Sequence, residues 1–346
     1  MSENVSVMKI LAVMKNWLGD LLFQMPALDL IKKKYPEASI TCVAPERCRE
    51  ILEAHPAVSG FIPFDEKTAH RPIFKRIRFA FQLREQGPWE QGYLFHRSKT
   101  RALLLLLAGV KERIGFGKGR AFFLTRAVPE PSQPMHQLDY FLEMMRRAGF
   151  RVPQDPRYQF YYKKEDRDSA LRLLTEAGLE KKDSFVCFHL GANWEPKRWP
   201  PEHFAALAEK IHEARGLPVV VTGSWQDQPL FDAFFQKIQK ARVISFVGKT
   251  RLGVSAAIYE RAACLVTGDS GPMHIASGAG ARVVALFGPT NPRLTGPRGT
   301  GDKIILQYVP EGYEVPFFGK ELPQDGWLSK ISPDEVFDAV ERMLRK

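Results

Sequence analysis

A chain of 346 residues is longer than one hydrophobic core ordinarily organises, so two domains are expected. Its 45% apolar and 26% charged content is that of a soluble globular protein and excludes the disordered and fibrous classes. The net charge of +11 is uneven: residues 1–160 hold 25 Lys/Arg against 16 Asp/Glu, and the stretch 67–126 alone holds 14 against three. That basic strip calls for an anionic partner, and a solubilising helix face, nucleic acid and a phosphorylated lipid are the competing readings.

In chain order, residues 9–14 are a short apolar run leading into the polar loop 15–20, after which Leu21, Leu22, Met25, Leu28 and Ile31 recur at helical spacing. The pattern predicts strand, loop, helix. Residues 38–44 read as the next strand, 47–54 as a helix and 60–63 as extended chain, the alternation that builds a parallel sheet. Pro129, Pro131 and Pro134 break the chain ahead of a helix at 137–148, and the proline-bearing stretch 151–162 reads as a linker. Domains of 1–160 and 161–330 follow. The second opens with a helix at 165–178 and alternates strands at 185–189, 218–222, 243–246, 264–267 and 283–287 with helices at 202–215, 229–240, 252–262 and 272–278. A last amphipathic helix is predicted at 333–344.

Cys42, Cys48, Cys187 and Cys264 form no CxxC pair and have no His-rich spacing, which argues for reduced thiols rather than a zinc knuckle or a disulfide framework. The longest apolar run, 103–110, is too short to span a bilayer, and Asp20 falls where a signal peptide needs apolar residues, so a cytoplasmic protein is expected.

Ligands of open α/β sheets bind beyond the carboxyl ends of the strands, so the loops there carry the chemistry. In HLGANWEPKRWP at 189–200, Gly191 permits close backbone approach, and Lys197 with Arg198 supplies charge ahead of a helix, as a phosphate cradle would; a Trp- and Pro-rich surface loop is the competing reading. It is not a P-loop. In VTGDSGPMHIA at 266–276, Ser270, Gly271 and the helix amides can donate to an anion, and Asp269 can accept from sugar hydroxyls. His274, one turn later, is either a buried hydrogen-bonded residue or a ligand contact. The loop TGSWQD at 222–227 could reach a ribose or an adenine. Asp20, after Gly19, is either a helix cap or a general base for an acceptor hydroxyl, and spacing leaves both open.

Together NWLGD at 16–20, GANWEPKRWP at 191–200, and DSGPMH at 269–274 followed by LFGPT at 286–290 resemble the ADP-heptose:lipopolysaccharide heptosyltransferases of glycosyltransferase family nine, over nearly the whole chain. Cys48-Arg49, HRSK at 96–99 with its apolar helix, and GFGKGR at 115–120 look more like the second heptosyltransferase than the first. The resemblance implies an α/β GT-B fold, two Rossmann-like domains facing across a cleft, with acceptor on the first and nucleotide sugar on the second. It makes Asp20 the catalytic base of an inverting transfer without a covalent intermediate, and Lys197 the pyrophosphate ligand. Gly191, Asn193, Arg198, Asp269, Ser270, Gly271 and His274 complete the donor set. Gly19, Arg97, Lys99, Arg101, Arg113, Lys118 and Arg120 are the candidates for an acceptor built on phosphorylated lipid A.

No cofactor, metal or nucleic acid is implied. No DxD pair ends a strand, Asp166 and Asp168 reading as helical, and no nucleic-acid motif accompanies the basic strip. Peripheral contact with the inner membrane is expected through charge and through Phe79, Phe81 and Trp89, and the segment 331–346 is expected to pack back on the first domain. Two departures stand out: the 191–197 segment is one residue shorter than in many second-type enzymes, and residues 307–328, with Tyr308, Tyr313 and Trp327, receive no role. The alternatives are a first-type enzyme, a transferase of another ADP-sugar, a sugar-nucleotide epimerase and a non-catalytic nucleotide-sugar-binding protein.

Overall fold

The computed structural model describes residues 7–313, 315 and 326–345, so part of the 307–328 stretch lies outside the described residues. Contacts divide the chain into units Met1–Tyr158 and Gln159–Lys346, two residues before the boundary expected from the prolines.

The first unit is built on strands β1 (Lys9–Val13), β2 (Ser39–Ala44), β3 (Gly60–Pro63), β4 (Gln91–Leu94), β5 (Glu112–Phe116) and β6 (Arg126–Val128). They form one parallel sheet in the order β3-β2-β1-β4-β5-β6, with Leu11 opposite Thr41 on one side and Gly92 on the other. Helices cover both faces of such a sheet, so its central strands are apolar without alternation, and Ile10 to Val13 are all buried. The second unit carries β7 (Val186–His189), β8 (Val219–Thr222), β9 (Val243–Ser245), β10 (Cys264–Gly268), β11 (Val283–Phe287) and β12 (Lys303–Gln307), in the order β12-β11-β10-β7-β8-β9. Counted from each unit's first strand, both sheets read 3-2-1-4-5-6, the Rossmann order.

The order reverses between β1 and β4 and again between β7 and β10. There, connections leave neighbouring strands toward opposite faces and open a crevice.

Several elements depart from the sequence pattern for local reasons. The first helix is broken into Leu18–Leu22 and Met25–Lys34, because Pro26 lacks the N–H that would bond the carbonyl of Leu22. The helix expected at 229–240 runs Gln228–Phe235: the N–H groups of Gln239, Lys240 and Ala241 donate to the Glu209 carboxylate instead of continuing it. Strand β12 and helix Ile73–Glu85 of the basic strip are not resolved by the pattern, whereas the apolar helix expected with 96–99 runs Lys99–Leu107.

The C-terminal helix Pro333–Leu344 starts at a capping box between Ser332 and Glu335. Its Val336, Ala339, Val340 and Met343 are buried in the second unit's core, where the helix packs on Pro201–Arg215. This corrects the expectation that it packs back on the first domain. The apolar stripe at i, i+3, i+4 and i+7 is already covered at home, and Lys210 to Asp334 (2.7 Å) fixes the pairing from outside.

Candidate active site

In the second unit, the loop after β7 reaches over the end of β10. A Cβ on Gly268 would strike the carbonyl oxygen of Lys197, so this glycine lets the short turn Glu195–Lys197 lie directly on the strand end. Lys197 Nζ then donates to Asp269 Oδ2 at 2.6 Å, and Thr290 Oγ1, from the loop after β11, donates to the same oxygen at 2.8 Å. Asp269 is 6% exposed and the Lys197 side chain 25%, so the pair is held at the rim of the crevice with its cation still in reach of a ligand. Trp199, itself buried, anchors the far end of the loop by donating from Nε1 to the Ile331 carbonyl at 2.9 Å.

Ser270 is the N-cap of helix Gly271–Gly278; its hydroxyl makes no cap bond and lies 3.1 Å from Thr267 Oγ1. The first amides of that helix, Pro272 lacking one, are not capped by Ser270 and, with the helix dipole, offer an anion-binding end beside Lys197 and Asp269. Arg198 donates from Nε to the Ala192 carbonyl (2.9 Å), closing the loop on itself, and Asn193 is exposed at its tip.

One donor candidate plays a part other than the one the sequence suggested, and another takes the first of its two readings. Gly191 is required because a Cβ there would run into the carboxylate of Asp227, which also takes the N–H and hydroxyl of Ser224, both at 2.8 Å. The approach that needs a bare glycine is thus made by the chain's own 222–227 loop. His274 is 4% exposed, inside the layer between helix and sheet.

In the first unit, two buried side chains clasp the loop after β1. Gln24, fully buried, accepts from the Lys15 N–H at 3.1 Å and donates from Nε2 to the Asp20 carbonyl at 2.8 Å. From the other side Arg101 donates to the Met14 carbonyl and to Asn16 Oδ1, both at 2.7 Å, with its Nε 3.7 Å from Glu66. Asp20 is half-buried in the first turn of Leu18–Leu22; the N-cap position belongs to Trp17, so Asp20 is not the capping residue.

Lys15 lies beside Asp20 in a field of cations. Burial pulls its pKa below the lysine range, Asp20 opposes that, and Arg97, Arg101 and Arg120 reinforce it. His96, on the loop after β4, is pushed down to about 3 by burial, then by Arg101, Lys15, Arg120 and Lys67. Its Nδ1 accepts from the Ser98 N–H at 3.1 Å, so the neutral ring carries its proton on Nε2 and can donate.

The acceptor candidates divide. Arg101 is fully buried, and its fork holds the β1 loop rather than facing a phosphate. Arg120, 6% exposed, donates to the Phe116 carbonyl (3.0 Å) and the Arg97 carbonyl (2.9 Å) and pairs with Glu130. Arg113 is tied to the carbonyls of Phe123 and Val110, both at 2.7 Å. These three corrections share one cause: a guanidinium has five donors, and in this unit they satisfy loop carbonyls. Arg97, Lys99 and Lys118 remain exposed, Arg97 with its guanidinium 4.7 Å from the Tyr140 ring. Phe79 and Trp89, expected at the surface, are 5% and 3% exposed; Phe81 is 49% exposed.

Sequence reasoning missed Lys15, Gln24, His96, Asp227, Gly268 and Thr290. Five of these lie inside loops the sequence already singled out, without a role of their own, and Gln24 is a polar residue inside the apolar pattern of 21–31.

Comparison with known proteins adds three findings. The family described as glycosyltransferase family 9 (heptosyltransferase) matches residues 76–316. Lipopolysaccharide heptosyltransferase 2 of Escherichia coli K12 is 27% identical, over 97% of this chain and 99% of its own length, and lipooligosaccharide heptosyltransferase 2 of Haemophilus influenzae is 26% identical over 98% and 100%. Among solved structures, a family 9 glycosyl transferase from Veillonella parvula superposes with a TM-score of 0.86 (24% identity, 98% of this chain and 97% of that one). The E. coli ADP-heptose heptosyltransferase II does so with 0.80 (24%, 98% and 99%). The fold is GT-B.

Proposed function

The chain belongs to glycosyltransferase family 9, the heptosyltransferases, and on that premise we propose that it transfers a heptose from ADP-heptose to the inner core of lipopolysaccharide, as a second-type enzyme. The observation that carries this reading is the Lys197–Asp269 pair, set beside the free end of helix Gly271–Gly278 at the switch point of the second sheet. A diphosphate needs a cation and unpaired amides, and a sugar needs a buried acceptor of hydroxyl hydrogen bonds. That crevice offers both.

In the proposed reaction, Asp20 takes the proton of an acceptor hydroxyl while its oxygen bonds to the anomeric carbon. The bond from that carbon to the ADP oxygen breaks, the configuration inverts, and ADP leaves with the bonding pair. Lys197 and the helix amides hold the leaving diphosphate, so no divalent ion is required. Ser270 and Gly271 would donate to the same phosphates and Asp269 would hold the heptose. Arg97, which also donates to the Tyr140 hydroxyl, and the exposed Lys99 and Lys118 would receive acceptor phosphates and carboxylates, with Lys15 and the His96 N–H beside them.

The acceptor is lipid-anchored, so the reading places the enzyme at the cytoplasmic face of the inner membrane, in peripheral contact. Among the described residues no helix is long and apolar enough to cross a membrane.

The test is transfer from ADP-heptose, in EDTA, onto core-truncated lipopolysaccharides ending before or after the first heptose, read by product mass. Gain of one heptose on the longer acceptor alone is expected. Gain on the shorter would make this a first-type enzyme, and donor binding without transfer to either would overturn the transferase reading.

A further inference from the structure

Helix Ile73–Glu85 is apolar on two opposite sides. One side, Phe79, Ala80 and Leu83, is buried in the first unit's core, and the helix packs there on Lys99–Leu107. At 100° per residue, Phe74, Ile77 and Phe81 fall within one narrow arc on the far side, and they are 64%, 43% and 49% exposed; Ile73, at the amino end, is 63% exposed. Single exposed apolar residues are ordinary, whereas four on one thirteen-residue helix form a patch of the kind that marks an interaction surface.

The charges around the patch narrow the choice of partner. Arg71, Lys75, Arg78 and Arg84 are exposed on the same helix or just before it, and none makes an ion pair among the described residues. Glu85, at the carboxyl end, is the helix's single acid. An apolar stripe bordered by unpaired cations fits the boundary between acyl chains and anionic headgroups: the stripe sinks into the apolar layer while the cations stay among the phosphates. A protein partner would have to match the stripe in shape. A bilayer needs only depth and negative charge, and both are what this helix is arranged to use.

We propose that helix Ile73–Glu85 lies in the plane of an anionic lipid surface, with Phe74, Ile77 and Phe81 inserted and Lys75, Arg78 and Arg84 on the headgroups. The inference deepens the transferase reading, which requires a peripheral contact but does not say where it is made. It replaces the expected Phe79 and Trp89, which are core residues, with residues that point outward.

The experiment sediments the full-length chain with vesicles of phosphatidylcholine alone and of phosphatidylcholine mixed with phosphatidylglycerol. Binding to the mixed vesicles, weakening with salt, is expected, because each cation near an anionic surface contributes roughly fivefold. The variant Phe74→Ser/Ile77→Ser/Phe81→Ser should lower that partition at least about tenfold, and Lys75→Glu/Arg78→Glu should remove the preference for the mixed vesicles. All five side chains are exposed, and unchanged circular dichroism checks that the fold survives. Vesicle binding equal to the parent in both variants overturns the proposal. So does self-association of the parent that the serine variant abolishes, which would assign the stripe to a second copy of the chain. Transfer is measured alongside on a deacylated, water-soluble acceptor: there the variants should match the parent, and failure of the parent itself would strike the transferase reading while the vesicle result still decides the dock.

Discussion

At the switch point of the second unit the cation is answered before any substrate arrives. Lys197 is bonded to Asp269, and Thr290 holds the same carboxylate oxygen, so the crevice presents a neutral pair beside polar amides. At the switch point of the first unit, Arg101, Lys15, Arg120 and Lys67 act on a neutral His96, with Glu66 beside Arg101, Glu130 paired to Arg120 and Asp20 next to Lys15. The strand order is the same, but the first crevice gathers several cations where the second holds a single paired one. A site that must release a charged product benefits from a cation that can fall back on an internal partner. A site that gathers a polyanion would benefit from a surplus of cations over its own acids.

The largest effect expected is at Asp20. Asp20→Asn keeps the carbonyl that Gln24 holds and removes only the proton acceptor, so turnover should fall about 10²–10⁴-fold while ADP-heptose affinity is kept. Steady-state rates beside calorimetric donor binding check this. Loss of donor affinity alone would remove Asp20 from the base role and erase the division of labour between the two crevices.

The second effect lies in the neutral pair. Lys197→Ala removes a charge-assisted contact to the diphosphate and should weaken ADP roughly 10–100-fold. Asp269→Asn should do the reverse for ADP alone, since Lys197 is no longer shared, while lowering kcat/KM for the nucleotide sugar. Calorimetry with ADP separates the two, and if Asp269→Asn weakens ADP as much as Lys197→Ala does, the pair acts as one binding unit and the fall-back partner is wrong.

A third test separates cations that serve a ligand from those that serve the fold. Neutralising Lys99 and Lys118 together should raise acceptor KM and flatten its dependence on salt, with little change in melting temperature. Arg101→Met strands the buried Met14 carbonyl and removes the bond to Asn16 Oδ1, so it should cost about 3 kcal/mol of stability and loosen the β1 loop. A melting temperature unchanged in Arg101→Met would return this residue to the acceptor's ligands.

How much of this could be read from the residues alone follows from where the information sits. The second unit's alternation was plain, because β7, β8, β10 and β11 are fully buried runs separated by ordinary amphipathic helices. The basic strip was opaque for the opposite reason: a helix such as Ile73–Glu85, apolar on both sides, has no single stripe for periodicity to find. The loops at both switch points were legible as motifs, yet the partners of their side chains were not. Nothing in the sequence says that Asp227 will fill the space above Gly191, or that Arg101, 85 residues from Asn16, will spend its donors there rather than on a phosphate. Charge counts locate a basic region, and burial decides which of its members remain available to a ligand.

The smallest effect expected is also the most specific to the first crevice. His96 titrates at about 3 in the folded chain against an ordinary 6.5, because burial and the surrounding cations disfavour the imidazolium. As pH falls through about 6.5 the unfolded chain takes up a proton there that the folded chain refuses, so stability drops across the window down to about 3. His55, held at about 4 by burial, adds a drop in part of the same window, so the informative quantity is the difference between His96→Gln and the parent. Between about pH 7 and about pH 5 the parent should lose up to about 2 kcal/mol more than the variant, measured by denaturant melts. A phosphorylated acceptor bound in the crevice would add negative charge near His96, so adding it should shrink this difference, whereas ADP should leave it unchanged. An equal response to both ligands would mean that charge at one crevice is not sensed separately from charge at the other.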